Sequence, residues 1–112
     1  MPYAFAIPIP LGKTEALRRL TAESLGARRA EYDEMQHRSG VREESYWLQH
    51  NPGQGDLLIV ASESDQDAFM AIMANPQTPF DRWYRDLIQE IFGDEASEPI
   101  GERNELLGSW PS

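Results

Sequence analysis

Leu57-Leu58-Ile59-Val60-Ala61 is the longest purely aliphatic run in the chain. Apolar groups at successive positions face both sides of a strand, so the run predicts a central strand over Asp56–Ser62 in a sheet covered on both faces. Asn51-Pro52-Gly53-Gln54-Gly55-Asp56 precedes it with turn residues, two of them glycines free to take positive φ. Val41–His50 mixes aromatic and polar side chains, the pattern of an edge or site-lining strand, and completes a hairpin.

Nearer the start, Tyr3-Ala4-Phe5-Ala6-Ile7 alternates large and small residues. It predicts a strand whose alanine face admits close packing, as by a helix, and Pro8 and Pro10 end it. Thr14–Arg38 reads as one long helix capped by Thr14 and stopped by Ser39-Gly40. At about 100° per residue, Leu17, Leu20 and Met35 share a side with Ser24, Arg28 and Glu31, and Gly26 is where that phase can shift. After Ser64 and Asp67, Phe69, Ile72 and Met73 mark a short helix broken at Asn75-Pro76. Thr78-Pro79-Phe80-Asp81 then starts the clearest amphipathic helix, Phe80 to Phe92, which Gly93 closes. An acidic connection, Asp94–Arg103, leads to Glu105–Trp110, read as a last strand.

The 112 residues are expected to form one domain, residues 1–112, and a length this modest gains from dimerisation. Apolar content of 40% and charged content of 26% place it among soluble globular proteins. Residues 1–42 carry seven Lys or Arg against five Asp or Glu, and residues 43–112 carry three against fourteen; +2 and −11 give the net −9. An acidic exterior repels phosphate backbones and anionic lipid, so neither nucleic acid nor membrane is an expected partner. There is no cysteine and no membrane-length apolar run, and the first residues lack a signal-peptide pattern, so the expected location is cytoplasmic.

Strand, helix, strand, strand, broken helix, strand is the α+β, ferredoxin-like βαββαβ order, with a four-stranded antiparallel sheet and helices on one face. The doubly apolar third strand then needs a second sheet from another copy. The chain resembles the dimeric α+β barrel superfamily, which includes antibiotic-biosynthesis-monooxygenase-like domains, and most of all its small uncharacterised members. The resemblance rests on Ile9-Pro10-Leu11-Gly12-Lys13, Trp47-Leu48-Gln49, Gly55-Asp56-Leu57-Leu58-Ile59-Val60, Pro79-Phe80-Asp81-Arg82-Trp83 and Glu105-Leu106-Leu107. It implies a homodimer more firmly than a reaction, and no haem-binding or oxygenase motif is there to carry over.

Candidate chemistry centres on Arg28 and Glu31. Facing a helix–sheet cavity, Arg28 would hold a carboxylate or enolate and Glu31 would move a proton, with Tyr46 and His50 as further catalytic candidates. Ser24 and Trp47 are the ligand-binding candidates. The plainer alternatives are a salt bridge at the helix margin, a solvated turn histidine at His50 and a Trp47 that packs in a dimer interface. His37 and His50 lack the spacing of a metal site, and no phosphate loop, nucleophile elbow or zinc motif occurs. No cofactor is expected. The resulting expectation is a small-molecule-binding homodimer, including a cofactor-independent enzyme of monooxygenase or isomerase type; the alternative is a non-catalytic dimeric interaction module.

Overall fold

The computed structural model describes residues 2–64, 66–93 and 105–111. The side chain of Phe69 and the acidic connection Asp94–Arg103 lie outside the described residues. The elements run β1 (Pro2–Pro8), α1 (Thr14–Leu25), α2 (Arg29–Arg38), β2 (Glu43–Asn51), β3 (Gly55–Glu63), α3 (Gln66–Ala74) and α4 (Pro79–Phe92). The protein is thus α+β, with four helices and an antiparallel sheet of three strands in the order β1-β3-β2.

The aliphatic strand is central, as its sequence predicts. Phe5 and Tyr46 flank Val60, and Ile7 and Leu48 flank Leu58, all on the side that meets the helices. The β2–β3 hairpin turns through Gly53 and Gly55, whose φ angles of 80° and 89° suit residues without a Cβ. On the other face Ala6, Ile59 and Trp47 form one row, with Ala4, Ala61 and Ser45 beside them. The alanine side of β1 is therefore the exposed face, and the large residues Phe5 and Ile7 take the helix side. Bulk is drawn to the helices because that is where apolar area leaves water.

The expected helix Thr14–Arg38 is two helices. Gly26 adopts φ −114° and ψ −103°, and a Cβ built there would lie 2.6 Å from the Ala22 carbonyl oxygen. The break resets the helical phase. Leu17, Leu20 and Ser24 are buried from α1, whereas Tyr32 and Met35 are buried from α2. Thr14 is the first helical residue rather than the cap; its hydroxyl donates to Asp56 Oδ2 at 2.8 Å, joining α1 to β3.

At α4, Thr78 is the cap, accepting from the Asp81 backbone N–H at 3.0 Å, and Pro79 occupies the first turn. Phe80, Ile88 and Ile91 are buried beneath it, while Trp83 and Tyr84 join the two halves of the core. The fourth strand expected at Glu105–Trp110 is not among the described elements. Residues 105–111 form no regular structure, and Leu106, Leu107 and Trp110 are exposed.

Candidate functional site

Between the helices and the sheet lies a partly enclosed cavity of about 110 Å³. The period of two along each strand supplies Phe5 and Ile7, Leu58 and Val60, and Glu44 and Tyr46. Helical spacing supplies Leu17, Leu20, Thr21 and Ser24 from α1, Tyr32 from α2, and Tyr84, Ile88 and Phe92 from α4. The wall is mostly apolar, with its polar groups gathered into one cluster and one isolated hydroxyl.

The cluster is built on Tyr32. Its hydroxyl donates to Glu44 Oε1 at 3.3 Å, lies 3.4 Å from the Tyr46 hydroxyl and accepts from Gln36 Nε2 at 3.0 Å. Gln36 Nε2 also donates to Glu44 Oε1 at 3.1 Å. Burial, reinforced by Tyr84 and Glu44, pushes the Tyr32 phenol far above the usual tyrosine range. Burial likewise raises Tyr46 and Tyr84. The three phenols thus stay protonated and serve as hydrogen-bond groups rather than as bases. Tyr32, Glu44 and Tyr46 also line a larger polar groove of about 490 Å³ between α2 and β2, so the cluster partitions the two spaces.

The isolated hydroxyl belongs to Ser24. Its side chain is 2% exposed, and its Oγ is buried without a hydrogen-bond partner. An unmade hydrogen bond on a buried hydroxyl is unfavourable by about 1–3 kcal/mol, and Ser24 is among the residues lining the cavity, which makes it a candidate ligand contact.

Of the residues singled out in the sequence, Ser24 and Tyr46 line the cavity; Arg28, Glu31, His50 and Trp47 do not. Arg28 donates twice to Glu31, Nε to Oε1 and Nη2 to Oε2, both at 3.0 Å. The paired charges raise the Arg28 guanidinium and lower the Glu31 carboxyl. The guanidinium carbon also sits 4.4 Å from the Trp83 ring centre and 4.9 Å from that of Phe80, a stacked cation at the helix margin. His50 is exposed at the hairpin end, with Nδ1 2.8 Å from Asp56 Oδ1 and Nε2 3.4 Å from Arg18 Nη2. Trp47 projects from the exposed sheet face and borders the polar groove. Glu44 and Gln36 carried no signal in the sequence reading. The alternation Glu44, Tyr46, Leu48, followed onto the helix-facing side of β2, would have found Glu44.

Among the described residues no group of His, Asp or Glu is placed to hold a metal ion. Nor is any of the described helices long and apolar enough to cross a membrane. No family model, curated protein or solved structure matches this chain.

Proposed function

We propose that the chain is a small-molecule-binding protein whose site is the helix–sheet cavity. The observation that carries this reading is the buried, unpartnered hydroxyl of Ser24, a residue of the cavity lining. A cavity closed only for packing is favoured by an apolar residue at this position; a hydroxyl there is accounted for by a ligand atom that completes its hydrogen bond. The neutral phenols fit holding a ligand better than deprotonating one, so binding leads over catalysis.

Dimerisation belongs to the same reading. The row Ala6, Ile59 and Trp47, with Ala4 and Ala61, is an apolar sheet face, exposed at Ala4, Ala6 and Trp47 and half-buried at Ile59 and Ala61, on which no described helix packs. In the dimeric α+β barrel arrangement, to which we assign the chain on its sequence resemblance, a second copy covers that face. In a ferredoxin-like sheet Glu105–Leu107 would pair with β1, the strand at one end of the described order β1-β3-β2.

Native mass spectrometry of the purified protein, followed by denaturing analysis of what is released, tests both parts. The expected result is a dimer carrying a small molecule that is absent from a Ser24→Leu variant. An empty dimer that binds nothing from a fragment library overturns the binding reading, and a monomer overturns the assembly.

A further inference from the structure

The make-up of the cavity wall points to a ligand class, and this inference rests on the cavity being a binding site. The wall holds five aromatic rings, from Phe5, Tyr32, Tyr46, Tyr84 and Phe92, and one carboxylate, Glu44. It holds no Lys, Arg or His. Ring faces carry the negative lobe of the aromatic quadrupole, and a carboxylate in the same wall adds a full charge. An anion placed there would meet repulsion from Glu44 with no cation in the wall itself; Arg29 acts on the Tyr46 hydroxyl from the groove side. A neutral ligand would leave the field of the wall unanswered.

The hydrogen bonding within the cluster is one-sided. Both side-chain donors to Glu44, from Tyr32 and Gln36, fall on Oε1. Oε2 receives no side-chain donor among the described residues. Because Tyr32 and Tyr46 keep their protons, the carboxylate is the one anionic acceptor of the wall. Arg29 and Arg42 lie on the groove side of the partition, and Arg29 is already paired with Asp33 at 3.3 Å. A net charge of −9 on the chain further concentrates cations at its surface.

We propose that the cavity takes a small organic amine in its ammonium form. The ammonium donates to Glu44 Oε2 at the phenol cluster, where the groove supplies water, and the apolar body occupies the space beside Leu17, Leu20 and Val60. A cavity of about 110 Å³ fixes the size of that body. A cavity of about 150 Å³ encloses benzene, so at about 110 Å³ the enclosed body is smaller than a ring, a short branched alkyl group.

Titration calorimetry of the full chain with isobutylamine, isobutanol and isobutyrate, matched in shape and differing in charge, tests the assignment. Isobutylamine is expected to bind about tenfold tighter than isobutanol, with isobutyrate giving no heat. Glu44→Gln, close in shape to the native residue, is expected to bring the amine's affinity down to the alcohol's. Ser24→Leu, which fills the cavity, is expected to abolish binding of both. Equal binding of amine and alcohol, or preferred binding of isobutyrate, overturns the ligand class and leaves the cavity as a site. Amine binding unchanged in Ser24→Leu overturns it too, by showing association with the acidic exterior. Failure of all three probes to bind overturns the cavity reading along with the ligand class.

Discussion

Asp81 and Arg38 meet through two hydrogen bonds, 2.7 Å from Nη1 to Oδ2 and 2.9 Å from Nη2 to Oδ1, although 43 residues separate them. The Asp81 side chain is fully buried and also accepts from the Gln77 backbone N–H at 3.0 Å. The pair joins the last turn of α2 to the first turn of α4, with each charge at the helix end whose dipole favours it. Replacing either partner is expected to destabilise the fold, Asp81→Asn by about 2 kcal/mol and Arg38→Met by more. The asymmetry arises because removing Arg38 leaves a buried carboxylate, whereas removing the Asp81 charge leaves a guanidinium that still pairs with Glu34. Urea unfolding of the two variants checks the order.

The same contact makes stability depend on acid. Hydrogen bonds from Arg38 lower the Asp81 carboxyl from 3.8 to about 2. A carboxyl depressed on folding stabilises the native state above its unfolded value, and that contribution, about 2 kcal/mol here, disappears as pH falls from near 4 towards 2. The gap in urea midpoint between the wild type and Asp81→Asn should therefore be full at pH 6 and narrow below pH 3. A gap that stays constant would refute the assignment to Asp81.

Ser24 sets stability against binding. Ser24→Ala removes an unsatisfied buried hydroxyl, so the variant is expected to be as stable as the wild type or more so, by up to about 1 kcal/mol. Its affinity for a cavity ligand should fall. Thermal unfolding and titration on the same sample give both numbers, and a loss of stability would mean that the hydroxyl already has a partner.

Gly26→Ala introduces a methyl group against the Ala22 carbonyl, 2.6 Å away. The expected cost is about 2 kcal/mol, read as a lower thermal midpoint. An unchanged midpoint would show that α1 and α2 can straighten into one helix at no expense.

Ile59→Lys places a charge at the centre of the exposed sheet face, between Ala6 and Trp47. With the fold retained by circular dichroism, sedimentation velocity is expected to show the assembly reduced to monomers. A wild-type chain that sediments as a monomer contradicts the dimer outright.

What was legible in the sequence follows from how far each signal reaches. The hairpin could be read from its uninterrupted aliphatic run and α4 from its unbroken helical period, and their ends carry Gly53, Gly55, Thr78 and Pro79. Arg28 and Glu31 share the stripe of Leu17 only if one helical phase runs through Gly26, and the turn at 26–28 ends that phase. Glu105–Trp110 offered six residues with no sustained alternation, too little to separate a strand from exposed coil. The Asp81–Arg38 contact and the Tyr32–Glu44–Tyr46 cluster are products of tertiary packing, which no local window contains.

Tyr32, Glu44 and Tyr46 form the boundary between a space of about 110 Å³ and one of about 490 Å³. That boundary is made of side chains, not of the backbone of α2 or β2. Under the proposed binding reading, substitutions at these three positions would resize the site while the fold stays as it is.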